Sequence, residues 1–205
     1  MSTLSGKFIV LDGPDGAGKS TQTRLLGETL ERCGQSVLTV RDPGGTVIGD
    51  KIREILLDNA HAAMAVNTEV LLYMASRAQL YAEKIRPALD AGQCVISDRW
   101  LTSTLAYQAV AGKIGNTAVI KIAEAALERP WPDLTCIIDL PAETGLRRVG
   151  ENKDRMENKG KDFHQAVRQA FFDLAQSRSD CIIIDGGGAI DQIHQTLLKG
   201  VTGKL

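Results

Sequence analysis

The 205 residues carry 24 Lys and Arg against 25 Asp and Glu, a formal net charge of −1, so no broad basic surface argues for nucleic acid or an anionic membrane. That length suits one α/β domain over 1–205 with a full hydrophobic core, and the longest apolar runs are far too short to span a bilayer. The opening MSTLSGK lacks a signal-peptide layout, and Cys33, Cys94, Cys136 and Cys181 form no C-x-x-C, so they read as buried, reduced thiols of a cytoplasmic protein.

Residues 8–11 (FIVL) have the length and β-branched content of a buried strand. Gly13-Pro14-Asp15-Gly16-Ala17-Gly18-Lys19-Ser20 follows, fitting G-x-x-x-x-G-K-[ST] at every fixed position. Glycines let successive backbone N–H groups turn inward around a phosphate chain. Lys19 reaches its distal phosphates, and the Ser20 hydroxyl is offered to Mg²⁺. A helix starting near Lys19 and running through Thr21 aims its positive end at the anion. Leu25, Leu26 and Leu30 recur at helical spacing until Cys33-Gly34.

Residues 36–40 (SVLTV) form the second strand and run into Arg41-Asp42-Pro43-Gly44-Gly45-Thr46, a turn. Ile48, Ile52, Ile55 and Leu56 mark an amphipathic helix. A longer one after Asn67-Thr68 carries Val70, Leu71, Met74, Ala78, Tyr81 and Ile85 as its stripe. Strands at 94–97, 134–140 and 181–185 complete an alternation with helices that implies βαβ units and a parallel sheet covered on both faces. Residues 151–162, between helical patterns at 142–149 and 163–177, are polar throughout; they read as a solvated connection or as a mobile lid over ATP.

The phosphate loop alone does not separate a kinase from an ATPase, a GTPase switch or a transporter subunit. A guanine-reading N-K-x-D is approached by Asn152-Lys153-Asp154-Arg155, but arginine stands where the aspartate belongs, and the stretch follows a helix. That near-miss counts against a switch.

Further landmarks occur in order: Arg41 to Thr46, Ile52-Arg53, Ser76-Arg77, Asp98-Arg99-Trp100, Ala106-Tyr107-Gln108 and Asp154-Arg155-Met156-Glu157. Together with the phosphate loop they resemble the bacterial thymidylate (dTMP) kinases over essentially the whole chain. The resemblance implies a P-loop nucleoside monophosphate kinase fold: a five-stranded parallel sheet with helices on both faces and a short lid at about 148–162. It implies transfer of a phosphoryl group from ATP, with Mg²⁺, to dTMP, and a homodimer formed through apolar helix faces such as 118–127.

The resemblance also assigns roles. Gly13, Pro14, Asp15, Gly16, Ala17, Gly18, Lys19, Ser20 and Thr21 would hold ATP, with Arg155 gripping it from the lid. Asp15 would approach the acceptor's 3′-hydroxyl, and Ser20 with Asp98 would serve the metal. Arg53 and Arg99 would clamp the dTMP phosphate, since guanidinium meets phosphate bidentately. Arg77, Thr104 and Gln108 would read thymine, Tyr73 would stack on it, and Tyr107 would crowd the sugar's 2′ carbon. Asp42, Trp100 and Phe171 depart from the residues common in the family. Gly16 stands where some members carry an arginine, so a lid cation is expected to take its place: Arg148 first, Lys153 second. On that reading Gly16→Arg should compensate for a lost lid cation. A kinase of another nucleotide or deoxynucleoside, or a non-catalytic nucleotide-binding protein, remain the alternatives.

Overall fold

The protein is described from a computed structural model covering residues 4–151 and 153–205. Asn152, part of the N-K-x-D near-miss, and residues 1–3 of the opening segment lie outside the described residues.

Five strands form one parallel sheet in the order β2-β3-β1-β4-β5, with β1 (Phe8–Asp12), β2 (Val37–Arg41), β3 (Cys94–Asp98), β4 (Leu134–Asp139) and β5 (Cys181–Asp185). Side chains alternate across a strand, and both faces of this sheet are covered, so β1 reads as an unbroken apolar run ending in an acid and β3 as one interrupted only by Ser97. Phe8 and Val10 face one layer, packed with Trp100, Leu101 and Val70. Ile9 and Leu11 face the other, against Leu26 and Leu30 of α1 (Lys19–Arg32) and Leu197 and Val201 of α9 (Ile190–Lys204).

No side chain caps the N-terminus of α1, whose cap position is Gly18 at φ 93°. A missing cap costs about 1 kcal/mol, while burying Leu26 and Leu30 contributes about 1.5–3 kcal/mol each, so packing holds the helix. Its first-turn N–H groups are thereby left for an anion.

Between β2 and β3 run α2 (Val47–Leu57) and α3 (Val66–Leu80). The latter continues through a π-helical turn, Tyr81–Ile85, into α4 (Arg86–Asp90). After β3 come α5 (Leu101–Thr104), a second π-helical stretch, Leu105–Ala111, and α6 (Asn116–Ala126). After β4 come α7 (Ala142–Val149) and α8 (Lys161–Ser177), which starts two residues before the sequence pattern suggests.

Several sequence expectations need correction. Leu71 does not join the buried stripe of α3 but is 58% exposed, and Ile48 and Ile55 of α2 are exposed too. Within 118–127, Val119, Ala123 and Leu127 point into the protein's own core, while Ala118, Ala125 and Ala126 are exposed. Cys33 is exposed, unlike the other three cysteines. Among the described residues, no helix is long and apolar enough to cross a membrane.

Candidate active site

The C-terminal ends of β1, β2 and β3 converge on one edge of the sheet, where parallel α/β folds place their ligands. A cavity of about 440 Å³ opens there, lined by the phosphate loop at one end and by α3 and the second π-helical stretch at the other.

The loop's shape depends on its glycines. A Cβ on Gly13 would fall 2.3 Å from the Ile138 carbonyl oxygen, and Gly16 and Gly18 hold φ of 71° and 93°. Lys19 is buried, and its Nζ donates to the Pro14 carbonyl at 2.6 Å. Burial, then the nearby Arg99 charge, lowers its pKa from 10.5 to about 8. The Ser20 hydroxyl donates to Asp98 Oδ2 through a short contact. Among the described residues no three His, Cys, Asp or Glu converge as a metal cage. The hard oxygens of Ser20 and Asp98 suit a Mg²⁺ whose other ligands come from phosphates and water.

A charge cluster sits beside the loop. Asp15 accepts from Arg99 Nη2 and, at 2.7 Å, from the Tyr107 hydroxyl, with His164 Nδ1 3.9 Å away. Burial pushes the Asp15 pKa up, but Arg99, Lys19 and the Tyr107 hydroxyl outweigh it and hold the carboxyl below its ordinary value. Arg99, at φ 70°, also donates to the Gly13 carbonyl and to Ser103 Oγ, both at 3.0 Å. The simple Asp98–Arg99 pair that adjacency suggests does not form among the described contacts. Arg99 pairs with Asp15 and, at 3.6 Å, Asp12. Asp12 itself is fully buried and accepts from Thr102 and Ser103, each at 2.5 Å. Arg53 lines the cavity and donates to the Pro43 carbonyl at 3.0 Å.

At the far end, Arg77 is 1% exposed. Its Nε and Nη2 both reach Asp42 Oδ2, at 2.9 and 2.5 Å, and Nη2 also donates to Thr104 Oγ1 at 3.0 Å. Burial raises the Asp42 pKa against the pull of Arg77, and Asp42 Oδ1 is buried without a partner. Trp100 sits in the core behind Arg77: its indole N–H donates to the Pro130 carbonyl and its ring lies 5.2 Å from the Arg77 guanidinium. Tyr73 lines the cavity, with its hydroxyl pKa raised by burial. Phe171 packs against the Tyr107 ring at 6.3 Å.

The lid differs from expectation in one respect. Arg155 is not turned toward the phosphate loop; it is buried, with Nε on the Leu56 carbonyl at 2.8 Å and Nη1 on Glu69. Arg148 does line the cavity, with Nη1 at 3.5 Å from the Gly16 carbonyl and 3.4 Å from that of Gly186. Lys153 lies farther out, its carbonyl held by Asn59 and Asn158. Asp12, Glu69, Ser103 and His164 are site residues that the motifs did not mark. Glu69 left a trace: with Tyr73 and Arg77 it repeats every four residues, one line along a helix.

The family model described as Thymidylate kinase matches residues 11–197. The thymidylate kinase of Caldanaerobacter subterraneus subsp. tengcongensis is 43% identical over 200 residues, 97% of this chain and 96% of its own. That of Fervidobacterium nodosum is 39% identical over 193 residues, 94% and 96% of the two chains. The crystal structure of thymidylate kinase from Ehrlichia chaffeensis superposes with a TM-score of 0.79 at 26% identity, covering 95% of this chain and 98% of that one.

Proposed function

This chain belongs to the thymidylate kinase family and phosphorylates dTMP, and we propose how its own residues carry out that transfer. The observation that carries the reading is that one cavity holds a phosphate loop at one end and Arg77, Thr104 and Gln108 at the other, with Arg53 and Arg99 between.

The loop N–H groups between Gly13 and Thr21, Pro14 excepted, and the Lys19 ammonium bind the phosphates of ATP. Arg53 and Arg99 hold the phosphate of dTMP, and its oxygen attacks the γ-phosphorus in line. One P–O bond forms as the bond to the β-phosphate oxygen breaks, leaving dTDP and ADP. A phosphate monoester is already a nucleophile at neutral pH, so no general base is required. Catalysis comes from positioning and from cations set against the transferring group, Lys19, Arg99 and Arg148 foremost, with Lys153 next in reach. When bound beside Ser20 and Asp98, Mg²⁺ would neutralise charge on the β- and γ-phosphates.

Asp15, gripped by Arg99 and Tyr107, faces the acceptor's sugar, where the Tyr107 ring occupies the space a 2′-hydroxyl would need. Arg77 donates to thymine O4, Gln108 pairs with N3–H and Tyr73 stacks on the ring. The whole chain acts as one unit with a lid over 148–162. We further propose a cytoplasmic setting, supported by three buried thiols, and a homodimer. The dimer is supported by exposed Val47, Ile48, Ile55 and Leu71 on neighbouring helices α2 and α3.

The test is ADP release with ATP and dTMP, dUMP, dCMP or the ribose analogue of dTMP. Strong preference for dTMP is expected; equal turnover of dCMP would remove the thymine reading.

A further inference from the structure

Gln108 donates from Nε2 to Glu69 Oε1 at 2.8 Å, and both side chains are 1% exposed. An amide can turn either end toward a neighbour, but a carboxylate only accepts, so Glu69 decides which way Gln108 faces. Nε2 is held by Glu69, and Gln108 lines the cavity. We propose that Glu69 is a positioning residue for base selection, locking the Gln108 amide so that it presents an acceptor to the base.

The chemistry of the acceptor nucleotides makes this decisive. Thymine and uracil carry N3–H, a donor; cytosine carries a bare N3, an acceptor. A freely turning Gln108 could pair with either. A locked one favours the N3–H of thymine and sets two lone pairs against each other for cytosine. The inference rests on the reading of Gln108 as a base contact and adds what enforces it.

Glu69 is itself held. Its Oε2 accepts from Arg155 Nη1 at 2.5 Å, with Lys159 Nζ at 3.7 Å, and Arg155 Nε is fixed on the Leu56 carbonyl at the end of α2. Arg155 and Lys159 both belong to the segment over 148–162. The lid therefore reaches the base-reading amide through a buried carboxylate.

The experiment measures steady-state kinetics of the full chain with dTMP and dCMP, with thermal melts for each variant. In Glu69→Gln, the new amide keeps its oxygen on Arg155 and turns its NH₂ toward Gln108. Gln108 must then flip and present a donor to the cavity. Expected are a rise of roughly tenfold or more in KM for dTMP, an unchanged KM for ATP, and a similar fall in the dTMP-to-dCMP ratio of kcat/KM. The exchange Glu69→Gln with Gln108→Glu should recover part of that ratio, because a carboxylate at 108 presents an acceptor whichever way it turns.

If Glu69→Gln keeps KM for dTMP and the ratio within twofold of the parent, the proposal is overturned. It is also overturned if the loss falls on kcat and on KM for ATP with the ratio intact. Gln108→Ala separates the two layers: no effect of that variant on dTMP sinks the base contact itself, whereas a loss there with none in Glu69→Gln sinks only the lock. Should Glu69→Gln fail to fold, Glu69→Asp carries the test, since the shorter carboxylate draws back from Gln108 Nε2 and releases the amide. It should raise KM for dTMP and leave KM for ATP alone; an unchanged KM for dTMP overturns the proposal.

Discussion

Gly16 and Gly145 meet backbone to backbone: a Cβ on Gly16 would fall 2.2 Å from the Gly145 carbonyl oxygen, and one on Gly145 would fall 2.1 Å from that of Asp15. The phosphate loop and α7 are thus docked through two residues without side chains. The sequence suggests that an arginine at position 16 would stand in for a lid cation, and the structure reverses that expectation. Any side chain there needs φ 71° and the space that α7 occupies. Gly16→Arg in this chain should lower activity rather than rescue it. Gly145→Ala should cost about 1–3 kcal/mol of stability, a fall of roughly 2–4 °C in Tm per kcal/mol, with a loss of kcat. Calorimetry and turnover of the two variants check this, and wild-type values for Gly145→Ala would show that the loop and α7 separate freely.

Arg148 is carried on the same helix, three residues beyond Gly145. Its contacts to the Gly16 and Gly186 carbonyls, at 3.5 and 3.4 Å, are too long to fix it, so the guanidinium is free to follow a transferring phosphoryl group. Arg148→Ala should lower kcat by up to ~10³-fold and leave ATP affinity nearly unchanged. If Arg148→Ala and Lys153→Ala each stay within about threefold of the parent, no lid finger operates.

What the sequence conveyed and what it withheld follow from how local each feature is. The phosphate loop and the strands are written in contiguous residues, and their positions were legible to within a residue or two. The same holds for Arg53, Arg77, Arg99 and Gln108, which sit in short recognisable patterns and line one cavity. Partners brought together from distant segments were not legible. Arg155 meets Glu69 across 86 positions, and Asp12 meets Thr102 across 90. Only the fold makes those pairs. The apolar stripe failed at Leu71 for a related reason: helical spacing says which residues share a face, but not whether that face meets the chain's own core.

Tyr107 joins two functions that substitution can separate. Its ring packs against Phe171 and its hydroxyl donates to Asp15 at 2.7 Å. Tyr107→Ala should raise relative activity toward the ribose analogue by opening space beside the 2′ carbon. Tyr107→Phe should preserve the deoxyribose-to-ribose ratio of kcat/KM but lower kcat/KM for dTMP, by about 1–3 kcal/mol for a hydrogen bond to a charged group. A changed ratio in Tyr107→Phe would shift discrimination from the ring to the hydroxyl.

Exposed Val47, Ile48, Ile55 and Leu71 set the prediction for assembly. Ile48→Lys with Leu71→Glu should convert a dimer to a monomer by light scattering without lowering Tm of the monomer. Parent and variant of equal mass would exclude this face.

Lys19 makes the binding of ATP a proton-linked event. Its pKa of about 8, against 10.5 in an ordinary lysine, reflects burial first and the Arg99 charge second. The sign follows from proton counting. Between pH 8 and 10.5 the unfolded chain holds this proton and the folded chain does not, so stability from this group rises with pH across that window. Below pH 8 the buried charge opposes folding by roughly 3 kcal/mol. ATP reverses the balance, because phosphates beside the ammonium favour its charged form. At pH 8.5 the free protein should be only partly protonated at Lys19 and the complex nearly fully so, and binding should therefore take up a fraction of a proton. Titration calorimetry in two buffers of different ionisation enthalpy reads this directly. Uptake at Lys19 should become small by pH 7, and ATP at one fixed concentration should raise Tm more at pH 7 than at pH 9.5. Zero uptake at pH 8.5 would mean that Lys19 is already charged in the free protein, and that its burial is offset by the surrounding Asp12, Asp15 and Asp98 carboxylates.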